Sequence, residues 1–384
     1  MKYDFDFLPD RLHTESVKWR VFDQDVLPMW VADMDFRSPE PVIRALQERV
    51  SHGVFGYAME MPELRETIQN QLFEKYHWTV ALEDIVLLPG VVKGFNMACH
   101  MFSQEGGGAL IQTPVYFPFL SAPANAGLER QEMELTRAED GRYEIDFDRF
   151  EAAITSQTRL FILCSPHNPV GRVFCKEELE RMAEICLRHD VVICSDEIHC
   201  DLIFSGQQHY PTASLSPEIA QNTITLMAPS KTYNIAGLDC SFAVIQNPDL
   251  RRRFQSTDRG LVGHVNLMGL VAALAAYQDG QDWLNQALTY LEANRDHLWQ
   301  AVNQELPGIR MASPEGTYLA WLDCRGAGIA GSPHRFFLDK AHVAMNDGAA
   351  FGKGGEGFVR LNFGCPRSML DEALARMKHA LLNN

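Results

Sequence analysis

Leu160-Phe161-Ile162-Leu163-Cys164-Ser165-Pro166-His167-Asn168-Pro169-Val170-Gly171 decides how the chain is read. Five consecutive apolar residues fit a strand buried on both faces, and a polar tail with two prolines cannot continue it. The same pattern recurs twice downstream. Val191-Val192-Ile193-Cys194 runs into Ser195-Asp196-Glu197-Ile198-His199, and Thr223-Ile224-Thr225-Leu226-Met227 runs into Ala228-Pro229-Ser230-Lys231-Thr232. Further apolar runs start at Ile85, Ala109 and Phe242. Between the runs lie helical patterns: Leu64, Ile68, Leu72 and Tyr76 recur four apart behind Pro62, and residues 176–188 form another helix. Continuous apolar strands alternating with helices predict an α/β fold, with a mostly parallel sheet sandwiched by helices.

Outward from this centre, a long helix over 283–305 ends before Pro307 and connects to a second unit. That unit has strands near 318–322 and 358–362 and a last helix with Leu370, Leu374, Met377 and Leu381 on one face. The predicted division is a large domain over 50–285 and a smaller α/β domain built from both chain ends, 1–49 and 286–384.

Composition narrows the function. The chain has 384 residues, with 34 Lys and Arg against 50 Asp and Glu, a formal charge of −16. That balance argues against nucleic acid and anionic membrane as main partners. No apolar run reaches the ~18 residues that suggest a membrane span. Nine cysteines without a C-x-x-C pair fit buried thiols in a reducing compartment, and residues 1–7 lack a signal pattern, so the expected location is cytoplasmic. No H-E-x-x-H spacing occurs, and no metal is expected. Gly352-Lys353-Gly354-Gly355-Glu356-Gly357 satisfies G-x-G-x-x-G literally. It precedes a strand instead of joining a strand to a helix, so a mobile glycine loop near the site mouth is expected in place of a dinucleotide site.

Parallel sheets bind ligands at the carboxyl ends of their strands, where Asn168, Asp196 and Lys231 converge. Gly90-Val91-Val92-Lys93-Gly94 follows another strand and opens a helix, so the N–H groups of Val91 and Val92 are free to hold an anion. A lysine, an aspartate and a phosphate cradle are what pyridoxal 5'-phosphate needs. The amine bonds the aldehyde, and the carboxylate keeps the pyridine nitrogen protonated so that the ring accepts electrons.

Together these segments resemble the fold-type-I pyridoxal-phosphate enzymes of the class I/II aminotransferase superfamily, over nearly the whole length. Ser230-Lys231-Thr232-Tyr233-Asn234-Ile235-Ala236-Gly237-Leu238 is similar to the family's lysine signature. Asn168-Pro169-Val170-Gly171 and Ser195-Asp196-Glu197 are similar to the two upstream signatures, in the same order. The resemblance implies a seven-stranded type of sheet in the large domain. It makes Lys231 the cofactor lysine and Cα proton shuttle, and Asp196 the partner of the ring nitrogen. Asn168 would bond the ring 3-oxygen, Tyr116 would stack on the ring, and Ser230 would join Val91 and Val92 at the phosphate. Tyr57 matches a tyrosine lent to the phosphate across a dimer interface, which implies a homodimer. Arg360, in Phe358-Val359-Arg360-Leu361-Asn362-Phe363, matches the arginine that grips the substrate α-carboxylate. Backbone at Val31 or Ala32 would line the substrate mouth.

Two positions depart from many relatives: Ala228 stands where a phosphate-bonding hydroxyl is common, and Asp239 where an arginine is common. His199 occupies the place of a tyrosine in typical aminotransferases. With residues 28–36 and 360–366 it resembles the cystathionine β-lyase, or C–S lyase, branch. That branch implies α,β-elimination of L-cystathionine or related cysteine S-conjugates to a thiol, pyruvate and ammonia. Transamination with an unidentified amino donor is the alternative on the same cofactor, and a regulatory, protein-binding role is the alternative of another kind.

Overall fold

The polar strand tails all emerge at one edge of a single seven-stranded sheet. The computed structural model describes residues 1–384. The strands are β1 (Ile85–Leu88), β2 (Gly108–Thr113), β3 (Glu129–Glu134), β4 (Thr158–Cys164), β5 (Val192–Asp196), β6 (Thr223–Met227) and β7 (Ser241–Val244). Their spatial order is β1-β7-β6-β5-β4-β2-β3. β7 runs antiparallel to both its neighbours, and the other pairings are parallel. The register sets Cys164 opposite Asp196 and Asp196 opposite Leu226, which brings the tails of β4, β5 and β6 side by side.

Alternation along β4 shows why its run is continuously apolar. Leu160 and Ile162 enter a cluster with Phe95 and Ala98 on one face, while Phe161 and Leu163 enter a cluster with Leu179 and Met182 on the other. Those partners come from two helices, α3 (Val91–His100) and α4 (Lys176–Arg188), one on each face. β3 escaped the apolar-run criterion because it reads Glu-Arg-Gln-Glu-Met-Glu, with only Met133 buried. It is an edge strand, and its charges deter pairing with other chains.

Before the sheet come α1 (Glu40–Ser51) and α2 (Pro62–Tyr76), which has the predicted bounds and buries Leu64, Ile68 and Leu72. After the sheet come α5 (Leu267–Asp279) and the long helix α6 (Gln281–Glu305), which starts two residues before its predicted first turn. A second sheet joins β8 (Leu319–Asp323), β9 (Phe358–Asn362) and the short strand Asn346–Asp347, all antiparallel. The chain closes with the helix Arg367–Leu382, α7. Leu27–Pro28 pairs with Val343–Ala344, so the two ends of the chain meet. One apolar cluster of 57 residues holds Met34, Trp283 and Leu361 together with Met227 and Phe242 of the seven-stranded sheet. The core is therefore continuous between the two sheets.

The glycine segment 352–357 does precede β9. Gly355 is buried, and a Cβ on it would come within 2.0 Å of the Gly348 carbonyl oxygen. Glycine here permits close packing of the backbone against Gly348.

Gly94 is equally constrained. A Cβ there would approach Leu226 Cδ2 at 2.9 Å and Leu88 Cδ1 at 3.2 Å, so its absence lets α3 lie close on β6 and β1. Gly94→Val is expected to cost about 1–3 kcal/mol through overpacking. A denaturant melt of the purified variant tests this; an unchanged midpoint would contradict the close-packing account.

Candidate active site

Three strand ends build one cavity of about 280 Å³. Lys231 sits on the short helix Pro229–Thr232 just beyond β6, Asp196 ends β5, and Asn168 lies four residues past β4. All three line the cavity with Tyr116, His199 and Ser230. Tyr116 and Asn168 are locked together, since the Tyr116 N–H donates to the Asn168 carbonyl at 3.0 Å. The convergence predicted from the strand tails is thus present.

One end of the cavity is the start of α3. Gly90, at φ +118°, turns the chain, and its N–H donates to Ser241 Oγ at 3.0 Å. The Val91 and Val92 N–H groups have no intrahelical acceptor and lie in the cavity wall, at the positive end of the helix dipole. Lys93 and Asp239 line the same cavity, bringing one cation and one anion. Asp239 sits in the left-handed region, at φ +48°, whereas Ala228 is buried and outside the cavity wall.

Withdrawal from bulk water shapes the charges here. It lowers the Lys231 amine to about 8, with Asp33 and Asp196 pulling upward and Arg360 downward. It raises the Asp196 carboxyl to about 7; the Ile198 N–H and Lys231 oppose this, and Glu197 adds to it. His199 falls to about 3, driven by burial and then by Lys231 and Arg360, so its imidazole is neutral. Its Nδ1 has no hydrogen-bond partner.

Arg360 is buried in β9 and held on three sides. Nη1 donates to Asn168 Oδ1 at 2.9 Å, and Nη2 donates to Asn346 Oδ1 at 2.7 Å and the Trp30 carbonyl at 3.1 Å. Its buried Nε has no partner. Of the two residues expected at the mouth, Ala32 lines the cavity, and its carbonyl accepts from Lys231 Nζ at 2.6 Å and Tyr318 Oη at 2.9 Å. Val31 does not line it; its carbonyl accepts from Asn362 Nδ2 at 2.5 Å. Tyr57 lies outside the cavity, fully exposed at 109% on the segment between α1 and α2.

Several participants were missed in the sequence. Tyr318, Asn346 and the Trp30 carbonyl act through contacts 14 to 330 residues apart along the chain, which no local pattern reveals. Asp33 falls within residues 28–36, to which the sequence assigns no catalytic role.

The residues fit pyridoxal 5'-phosphate. A lysine of lowered proton affinity faces a buried carboxyl, an amide cradle closes one end, and an aromatic ring and a neutral imidazole flank the space. This architecture is the fold-type-I fold of pyridoxal-phosphate-dependent enzymes. The chain belongs to the class I and II aminotransferase family, whose model matches residues 24–377. It is 40% identical to cystathionine beta-lyase PatB of Bacillus subtilis (strain 168), covering 98% of this chain and 100% of that one. Among solved structures, cystalysin of Treponema denticola, which contains a pyridoxal 5'-phosphate cofactor, superposes with a TM-score of 0.95 at 34% identity over 100% of both chains. A pyridoxal-phosphate-bound C–S lyase of Staphylococcus hominis gives 0.93 at 35% identity, again over 100% of both chains.

In cofactor-free protein, Lys231 should react with an amine-directed reagent with a midpoint near pH 8, well below ordinary lysines. Peptide mapping across a pH series measures this. A midpoint above pH 10 would contradict the stated environment.

Proposed function

We propose that the chain is a pyridoxal-phosphate-dependent carbon–sulfur lyase. It would eliminate the β-substituent of L-cystathionine or a related cysteine S-conjugate, releasing a thiol, pyruvate and ammonia with uptake of water. The observation that carries this reading is the Lys231 amine standing in one cavity with Asp196 and Asn168, beside buried Arg360. Full-length similarity to proteins named cystathionine beta-lyase and C–S lyase selects elimination from the reactions this fold hosts.

When bound, the cofactor supplies an electron-withdrawing ring next to the substrate α-carbon. Lys231 would tether it at rest. Asp196 would face the ring nitrogen, Asn168 the ring oxygen and Tyr116 the ring face. His199, neutral, would sit beside the ring and donate or accept one hydrogen bond. The Val91 and Val92 N–H groups and Ser230 would take the phosphate. Lys93 brings a cation to a cavity wall where Asp239 supplies none.

Substrate handling falls to the protein's own groups. Arg360 presents a planar donor fork for the α-carboxylate, its orientation fixed by Asn168, Asn346 and Trp30. Lys231, once free, would take the Cα proton. An amine titrating near 8 is partly unprotonated at neutral pH, so it is able both to accept and to return a proton. A thiolate then departs from Cβ as a good leaving group.

The chain would work as a homodimer, with Tyr57 reaching the partner's phosphate. Support comes from the exposed run Val54, Phe55, Tyr57 and Met59, apolar side chains that a second copy would cover. Its place would be a reducing cytoplasm, a reading supported by nine free cysteines, eight of them buried. No helix is long and apolar enough to cross a membrane.

Incubation of the holoenzyme with L-cystathionine should yield pyruvate and free thiol without any added keto acid. Turnover only with a keto acid would overturn elimination in favour of transamination. Arg360→Lys should lower kcat/KM about 10- to 100-fold, the scale of lost charge-assisted hydrogen bonds. An unchanged value would remove Arg360 from carboxylate binding.

A further inference from the structure

Lys231 Nζ does not rest on Asp196. It donates to the Ala32 carbonyl, 2.6 Å away, and Tyr318 Oη donates to the same oxygen at 2.9 Å. The next residue, Asp33, belongs to a charge cluster that no catalytic step uses. Arg11 Nη2 meets Asp33 Oδ2 at 2.6 Å, and Arg11 Nη1 meets Asp35 Oδ1 at 2.5 Å. Lys18, 1% exposed, places Nζ 2.6 Å from Asp35 Oδ2, 3.5 Å from Asp33 Oδ1 and 3.1 Å from the Asp33 carbonyl. Trp19 Nε1 donates to Asp35 Oδ1 at 2.8 Å, and Asn362 Nδ2 donates to the Asp33 carbonyl at 2.6 Å. Two cations and two carboxylates thus clamp residues 11–19 onto residues 33–35.

Burying so many charges is costly unless each is paired, and such pairs are weak evidence for stability alone. The clamp holds in place the one backbone oxygen on which the free lysine amine rests. We propose that Asp33, held by Arg11 and Lys18, is a positioning residue that fixes the resting station of free Lys231 and thereby tunes the reactivity of its amine. The proposal rests on Lys231 being the cofactor lysine. Supporting it, Asp33 is the strongest upward electrostatic influence on Lys231, ahead of Asp196, against the downward pull of Arg360 from β9. Burial disfavours ionised Asp33, but its bond to Arg11 and the charges of Lys18 and Arg11 outweigh this and hold its carboxyl below the usual range. Asp33 is therefore ionised across the pH range of interest. His199, beyond the end of β5, and Tyr318, ahead of β8, also flank the amine; His199 stays neutral.

The sign follows directly. A carboxylate favours the ammonium form, so removing it shifts the amine toward its reactive, unprotonated state. In cofactor-free protein, labelling of Lys231 by trinitrobenzenesulfonate at pH 7 should become at least about threefold faster in Asp33→Asn, the effect of a half-unit shift. The rate at the high-pH plateau should stay the same. A rise at every pH, plateau included, would mean mere opening of the site and would overturn the proposal, as would an unchanged profile. Should Asp33→Asn fail to fold, the charge-balanced Lys18→Met/Asp33→Asn pair, which leaves Arg11 with Asp35, carries the same test with the same expected shift. The readout needs no bound cofactor, so its failure leaves the lyase reading standing, while loss of cystathionine cleavage in wild type would leave this one untouched.

Discussion

Everything in this protein depends on keeping one lysine amine away from bulk water while surrounding it with groups that hold it half willing to give up its proton. Lys231 would titrate far above neutrality on an open surface. Beyond the carboxyl end of β6 it falls to about 8, because withdrawal from water outweighs the upward pull of Asp33 and Asp196. The same burial lifts Asp196 to about 7. A cationic ring nitrogen opposite Asp196 would draw that carboxyl back down, so cofactor binding and ionisation of Asp196 reinforce each other.

The sheet is what makes this placement affordable in structural terms. The central strands are mostly apolar and buried on both faces, and the tails of β4, β5 and β6 carry Asn168, Asp196 and Lys231 to one edge. Antiparallel β7 does not interrupt this, since it lies between β1 and β6 and supplies Ser241, which ties down Gly90 and leaves the next two amides free. The second sheet contributes Arg360 from β9, which bonds the cavity residue Asn168. On the proposed reading, the substrate carboxylate and the phosphate would be held by different elements, β9 and α3.

Most of the centre was legible because its signals are local. A buried run followed by a polar tail marks β4, β5 and β6 and names Asn168, Asp196 and Lys231 in the same stroke. Glycine before a helix likewise marks Val91 and Val92. The parts that escaped are those whose logic is not local. β3 is charged because it is an edge, and an edge is a property of the whole sheet. Asn346 and Tyr318 act by pairing with residues far along the chain, and Val31 and Ala32 differ only in which way each carbonyl points. Asp33 has no local signal, since its partners Arg11 and Lys18 lie 15 to 22 residues away. Tyr57 is legible only by resemblance, since nothing in its own chain contacts the cavity from there.

The most direct measurement of the central claim is chemical. Holoenzyme loaded fully with pyridoxal 5'-phosphate is reduced with borohydride, digested and mapped by mass. The account predicts a pyridoxyl phosphate group fixed on the peptide containing Lys231 and on no other. Fully loaded protein in which that peptide stays unmodified would contradict it.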